Sequence, residues 1–84
     1  MVNRWDVIQF MITLDCLKVG EIGIVRSISN EEIKRRFLDI GLTTGTCVEC
    51  LLESPFHNPK AYLIKGASIA IRLEDAKNVL VEVI

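Results

Sequence analysis

The chain has 84 residues and a formal net charge of −1, and half of its residues are hydrophobic. A chain of this length forms one small domain, which buries only about 60% of the surface that its unfolded form exposes and has little room for a deep catalytic cleft. No uninterrupted apolar run approaches the roughly 20 residues of a membrane-spanning helix. The nearly neutral charge provides no general attraction for nucleic acid or for an anionic membrane surface. These properties favour a small soluble protein that neither binds nucleic acid nor inserts into a membrane.

Residues 1–11 form an N-terminal extension. Trp5, Ile8, Met11 and Ile12 have a spacing that would place them along one side of a helix, although so short a helix is marginally stable alone. A frayed tail is the alternative. The charges near the start do not fit the apolar region of a signal peptide, so we expect a cytoplasmic location.

The first strand is predicted within residues 23–28, where β-branched residues follow a glycine. Val25 and Ile28 have opposite parity in this segment, so strict alternation fails. A β-bulge, or a strand that contacts the core at both of its ends, would explain the mismatch.

The clearest local signal is a helix start at Ser29. The Ser29 side chain can accept a hydrogen bond from the amide of Glu32, and the Glu32 side chain can reach back to the amide of Ser29. Ile33, Phe37 and Ile40 then recur at helical spacing. The sequence therefore predicts a helix whose buried stripe consists of these three residues, with Leu38 at its margin.

The predicted helix also carries a basic cluster, Lys34, Arg35 and Arg36. Glu31 with Arg35 and Glu32 with Arg36 form i,i+4 pairs, each of which stabilises a helix by about 0.2–0.5 kcal/mol. The cluster could contact a phosphate or an acidic partner, but short charge runs are more often solvated helix faces. We interpret it as a solvated face, with a partner contact as the alternative.

Three cysteines, Cys16, Cys47 and Cys50, cannot all pair within one chain, which agrees with free thiols in a reducing compartment. Residues 46–53 read as a strand, so Cys47 and Cys50 are expected on opposite faces. A C-x-x-C pair binds metal only where both thiols converge, and His57 is a single histidine in a proline-flanked loop. We therefore predict no metal ligands and no cofactor, with a bound transition metal ion as a weak alternative.

Three glycines mark the predicted turns. Gly41 ends the helix as a left-handed cap, Gly45 precedes the second strand, and Gly66 supplies the positive φ of a four-residue turn in a hairpin over residues 61–72. The last strand is predicted at residues 79–84. The fold is thus mainly β, a small closed barrel of five strands with one α-helix inserted after the first strand, because closure removes exposed edges. The expected core consists of Ile33, Phe37, Val48, Cys50, Leu52, Ile69, Ile71, Val79 and Val81.

No enzyme motif is present in the sequence. It contains no phosphate-binding G-x-x-x-x-G-K-[ST] loop, no G-x-S-x-G elbow and no H-E-x-x-H pair. The carboxylates Asp39, Glu74 and Asp75 have no evident catalytic partner. We predict no catalytic residues and a protein that is not an enzyme.

An ordered set of short motifs extends from about residue 12 to the C-terminus. Its pieces are Leu14-Asp15-x-Leu17-Lys18-x-Gly20-Glu21, Gly23-x-Val25, Arg36-x-Leu38-x-x-x-Leu42-x-x-Gly45, Ser54-Pro55, Pro59, Gly66, Ile69-Ala70-Ile71-Arg72 and Ala76-x-x-Val79-x-Val81. At these spacings the set resembles the FeoA family of small ferrous iron transport proteins. The resemblance implies an SH3-like barrel over residues 12–84, which agrees with the strand and helix count.

The chain departs from the family pattern at two positions. Asn58-Pro59 stands where the family usually has Asp-Pro, which removes a carboxylate from the loop and weakens the case for iron binding there. Thr44 stands where proline is common, which concerns backbone preference only.

The resemblance implies an accessory protein of ferrous iron uptake that binds or regulates the cytosolic GTPase part of FeoB, the membrane Fe(II) transporter. A transition-metal-binding carrier and a regulatory domain similar to the SH3-like domain of metal-dependent repressors are the alternatives. A carrier needs convergent ligands, which the sequence does not supply. A repressor needs a helix-turn-helix, and only one clear helix is predicted.

The predicted barrel leaves four apolar residues, Cys47, Leu51, Leu80 and Ile84, on its outer side. Apolar residues clustered outside a barrel need a cover. We predict that they form a contact with the transporter or, through self-association, with a second copy of the chain. The N-terminal segment would be the alternative cover.

Overall fold

The computed structural model describes residues 10–56 and 58–84. Its strands are β1 (Met11–Thr13), β2 (Ile22–Ile28), β3 (Cys47–Glu53), β4 (Lys60–Ile64), β5 (Ala67–Ile71) and β6 (Val79–Val83). Its helices are α1 (Glu31–Asp39) and the short α2 (Leu73–Ala76), and a 3-10 turn covers Leu14–Cys16. None of the described helices has the length and apolar character needed to cross a membrane.

The strands form one antiparallel sheet with the order β1-β6-β2-β3-β4-β5. Alternate residues of the strands lie on the inner side except where a bulge shifts the parity, and the inner apolar side chains meet α1 and the turn after β1. This arrangement confirms the mainly β fold with a helix after the first predicted strand. The buried core is Leu14, Leu17, Val25, Ile33, Phe37, Leu42, Val48, Cys50, Tyr62, Ile64, Ile71, Ala76, Val79 and Val81.

The sheet has six strands where five were predicted, because Met11 and Ile12 belong to a strand. Their helical prediction is wrong: Met11 pairs with Glu82 and Ile12 with Val81. Pairing with β6 satisfies backbone groups that an edge strand leaves open, which outweighs a marginal helical pattern. Trp5 and Ile8, the rest of the predicted helix, lie outside the described residues.

Two β-bulges shift the parity of the strands. The register of β2 against β6 shifts between Val25 and Ser27, which explains the failed alternation in the first predicted strand. The register of β3 against β4 shifts between Cys50 and Leu52. The extra residue in β3 turns Leu52 away from the interior. Leu52 is 58% exposed, so its predicted place in the core is wrong.

The helix α1 begins one residue later than predicted. Asn30 is the N-cap, and its Oδ1 accepts hydrogen bonds from the amides of Glu32 (2.9 Å) and Ile33 (3.1 Å). The predicted Ser29 cap is wrong, since the Ser29 hydroxyl donates instead to the carbonyl of Asn78. Both residues can cap a helix, and the contact with Asn78 commits Ser29 to another element.

The C-terminal end of α1 and the two following turns contain the predicted glycines. Gly41, Gly45 and Gly66 have φ values of +83°, +93° and +84°. Lys65 also has a positive φ, of +49°, so the hairpin turn consists of two residues, Lys65 and Gly66, and β5 begins earlier than predicted. A two-residue turn with positive φ at both positions matches the twist of the flanking strands.

Candidate interaction surface

The outer side of the sheet carries a strip of apolar residues along β6, β2 and β3. This strip, here termed the outer face, consists of Ile22, Ile24, Cys47, Leu51, Leu80 and Ile84. Ile24, in the central strand, pairs with Cys47 on one side and with Glu82 on the other. Two residues away, the carbonyl of Ile22 accepts a hydrogen bond of 3.0 Å from the amide of Ile84. The sheet register therefore places Cys47 and Ile84 on opposite sides of the same pair of isoleucines.

The four residues predicted to bind a partner occupy different places on this face. Cys47 is exposed and Ile84 is 67% exposed, so both are available to another molecule. Leu80 is half-buried at one end of the face, opposite Thr13 of β1. Leu51 is half-buried at the other end, within the β3 bulge. The register places Cys47 and Ile84 towards the middle of the face, separated by β2, and it sets Leu51 and Leu80 apart at the two ends.

One ion pair interrupts the apolar outer face. The guanidinium of Arg26 contacts the carboxylate of Glu82 at 2.8 Å, with a hydrogen bond of 2.9 Å from its Nε. Because both side chains are partly exposed, the pair contributes little to stability, about 0–1 kcal/mol. Its effect is to place polar atoms beside Ile24. Glu49, which pairs with Ile22 on the same face, adds a further carboxylate, so a partner would meet an apolar strip that carries one ion pair and one more acidic side chain.

The two neighbouring thiols lie on opposite sides of β3. Cys47 is exposed on the outer face and Cys50 is buried in the core, as the strand parity predicts. Burial raises the pKa of the Cys50 thiol, against the partly opposing charge of Lys60. Since a thiolate is the form that ligates metal, Cys50 is poorly suited to the task. His57, the single histidine, lies outside the described residues.

The thiol of the exposed Cys16 contacts two polar side chains, those of Thr13 and Asp15. Its Sγ lies 3.9 Å from a carboxylate oxygen of Asp15 and accepts a hydrogen bond of 3.5 Å from the Thr13 hydroxyl. Within residues 10–56 and 58–84, no group of three or more histidine, cysteine, aspartate or glutamate side chains is close enough to hold a metal ion. The prediction that the protein needs no cofactor stays a prediction.

Sequence reasoning missed a buried polar cluster under the turn that follows β1. The Lys60 ammonium donates hydrogen bonds to the carbonyls of Asp15 (2.7 Å) and Leu17 (3.1 Å), and the Tyr62 hydroxyl donates to the carbonyl of Leu14 (3.1 Å). Glu53 contacts the same ammonium at 3.6 Å. The even spacing of Lys60 and Tyr62 in β4 was the available signal, since it places both on the inner side.

The basic cluster of α1 pairs differently from the prediction. Arg36 contacts the Asp75 carboxylate at 3.0 Å, so the predicted pair with Glu32 is wrong. Lys34 and Arg35 form no ion pair with any residue that the structure describes. Tertiary contact with α2 thus replaces the local helix pair at Arg36, and two cations remain available on the helix surface.

Comparison with models of known protein families identifies one family that this chain matches. The model of the FeoA domain matches residues 12–83 of the chain. The FeoA protein of Chlorobium tepidum is 26% identical, with a TM-score of 0.80 over 87% of this chain and 70% of that chain. The FeoA-like protein of Clostridium acetobutylicum is 29% identical, with a TM-score of 0.82 over 88% and 87% of the two chains. The comparison with curated proteins finds no match.

Two further solved structures bear on the architecture. FeoA of Stenotrophomonas maltophilia, an SH3 domain protein solved in complex with zinc, is 26% identical, with a TM-score of 0.74 over 84% of this chain and 89% of that chain. A manganese-dependent transcriptional repressor is 21% identical and has a TM-score of 0.79 over 88% of this chain and 42% of its own. The repressor likeness shows the fold alone. Together the two structures confirm the SH3-like architecture.

Proposed function

The chain belongs to the FeoA family, and we propose that it is a non-catalytic cytoplasmic accessory protein of ferrous iron uptake that binds the cytosolic GTPase part of a FeoB-type Fe(II) transporter. The observation that supports this proposal most is the family match over residues 12–83, which includes every described strand except the first residue of β1. Membership supports a role in ferrous iron transport, and the transporter contact is our inference from it.

The outer face is the surface that we assign to this contact. Cys47 and Ile84 are exposed there, beside the half-buried Ile22 and Ile24. Covering an apolar strip of this kind favours association with a partner, because binding removes apolar area from water. No reaction is needed for such a role, and accessory binding requires only a rigid surface, which a hydrogen-bonded sheet provides.

A transition-metal-binding module is the second candidate function. The observation in its favour is the zinc complex of the Stenotrophomonas maltophilia relative. Zinc sites in proteins use three or four converging protein ligands, whereas the described part of this chain holds no group of three or more histidine, cysteine, aspartate or glutamate side chains that could bind a metal ion. We therefore rank metal binding below the transporter contact.

The test is capture of the protein by the separately produced cytosolic domain of the transporter, with and without guanine nucleotide. Cys47→Asp combined with Ile84→Asp changes the exposed centre of the outer face and should weaken capture by about tenfold or more, which corresponds to 1.4 kcal/mol or more. Leu51→Asp combined with Leu80→Asp tests its two ends. Phe56→Asp is the matched control, since Phe56 is 89% exposed in a loop.

Each variant needs a folding check by circular dichroism and a mass measurement in solution. Loss of capture by a folded Cys47/Ile84 variant, with normal capture of the Phe56 control, supports the proposal. Unchanged capture by both double variants would place the transporter contact elsewhere. A change in mass without a change in capture would show that the outer face serves self-association instead.

A further inference from the structure

A groove of about 430 Å³ opens beside α1, on a part of the surface that shares no residue with the partner-binding set of the outer face. Its volume falls within the range of about 300–1,000 Å³ that is typical of binding sites. Leu38 and the half-buried Ile28 supply its aliphatic surface, the fully buried Leu42 lies beneath them, and polar side chains from α1 and the following loop surround them. The lining residues are Ile28, Glu31, Lys34, Arg35, Leu38, Leu42, Thr43 and Thr44.

Leu38 is the residue of the groove that the fold does not explain. Its neighbour Phe37 is buried in the core, whereas the side chain of Leu38 is 61% exposed and belongs neither to the core nor to the shell packed against it. Leu42 lies below it, fully buried, and Ile28 packs partly against the core. Leu38 therefore contributes apolar surface to the groove and not to the core.

The charge of the groove indicates what kind of ligand fits. Lys34 and Arg35 line it and form no ion pair with another described residue, while Arg36 is held by Asp75 outside it. Among the described residues of the lining, Glu31 is the one carboxylate, so these residues carry a net charge of +1, from two cations less one carboxylate, although the chain as a whole carries −1. The complementary ligand is therefore apolar and acidic.

We propose that this groove docks a short acidic peptide segment of a partner protein, whose large apolar side chains cover Leu38 and Ile28 and whose carboxylates face Lys34 and Arg35. A small inorganic anion would leave the apolar surface uncovered. The chain's own residues 1–9 contain one arginine and one aspartate, so they do not provide the negative charge. The proposal goes beyond the transporter contact of the outer face and does not depend on it.

The probe is a capped synthetic peptide of leucine, alanine and glutamate, with leucines at helical spacing, and its control has lysine in place of every glutamate. Binding is followed by amide chemical shifts of the isotopically labelled full chain. We expect the glutamate peptide to shift the amides of Leu38 and residues 42–44, with a dissociation constant below about 1 mM and at least tenfold tighter binding than the lysine peptide. Inorganic phosphate should produce no comparable shifts.

Two variants separate the apolar contribution from the charge contribution. Leu38→Ser should keep the fold and raise the dissociation constant of the glutamate peptide by about tenfold. Lys34→Glu combined with Arg35→Glu should abolish the preference for the glutamate peptide. Lys18→Glu combined with Lys77→Glu changes the net charge equally at exposed sites outside the groove and should leave binding nearly unchanged.

Four results of the peptide titrations would overturn the proposal. These are equal binding of the two peptides, shifts that map outside the groove, no saturable binding of the glutamate peptide, and a Leu38→Ser variant that binds normally. A wild-type chain that self-associates, with Leu38→Ser becoming monomeric, would instead identify the occupant as a second copy and would also reject the peptide.

Discussion

The replacement of Lys60 by methionine tests whether the buried polar cluster holds the turn that follows β1. Lys60 is buried, and its ammonium satisfies the carbonyls of Asp15 and Leu17. Methionine fills most of the same space but donates no hydrogen bond, so both carbonyls would lose their partner. Hydrogen bonds from a charged donor contribute about 1.5–3 kcal/mol each, so the two bonds set an upper limit of about 6 kcal/mol.

Part of this loss is offset, because a buried ammonium also costs desolvation energy that methionine does not. We therefore expect Lys60→Met to lower the free energy of unfolding by about 2–4 kcal/mol. An 84-residue domain has a total stability of about 4–13 kcal/mol. The expected loss is thus a large fraction of the stability of this chain.

The assay is urea unfolding followed by circular dichroism, with hydrogen exchange of the Leu17 amide as a local probe, since this amide bonds to the carbonyl of Leu14 within the turn. Lys18→Met is the matched control, because Lys18 is an exposed neighbour of the turn. The control should change stability by less than about 0.5 kcal/mol. If Lys60→Met unfolds at the same urea concentration as the wild type, the reasoning about unsatisfied carbonyls is refuted.

Three further changes test the core, the buried phenol and the thiols. Phe37→Ala should cost about 3–5 kcal/mol, because it empties a site beneath α1, and unchanged thermal unfolding would contradict this. Burial raises the pKa of the Tyr62 phenol above its ordinary value of 10, so the folded state keeps a proton that the unfolded chain releases. Stability is then full below about pH 10 and falls as the pH rises above it, and the fall should be less steep in Tyr62→Phe. Replacing Cys47 and Cys50 by serine should leave a Zn(II) titration unchanged, and a submicromolar site in the wild type that these changes remove would refute the prediction.

The elements that follow from local chemistry could be predicted from the sequence. The helix stripe of Ile33 and Phe37, the cap at Gly41 and the opposite facing of Cys47 and Cys50 depend on spacing within a few residues, and the structure shows all of them. Such features are set by backbone geometry, which the sequence displays directly.

The features that the sequence did not reveal depend on contacts between distant segments. β1 forms because β6 offers it an unpaired edge, and Leu52 is exposed because a bulge changes the strand parity before it. A lysine such as Lys60 is expected in solvent from the sequence, and its burial follows from hydrogen bonds to the carbonyls of Asp15 and Leu17, which are distant in the chain. A single sequence shows neither which strands are neighbours nor where a register shifts, so these errors share one physical origin.

The buried cluster and the outer face are connected through β1. Lys60 and Tyr62 hold the turn of residues 14–17 from the inner side, and this turn leads directly out of β1. Since β1 pairs with β6 from Leu80 to Glu82, it shields Leu80 and ends before Ile84. The same arrangement therefore limits the exposure of Leu80 on the outer face. If the turn loosens, as we expect in Lys60→Met, β1 should pair less firmly with β6 and Leu80 should become more exposed. The substitution would then change the shape of the outer face as well as lower the free energy of unfolding.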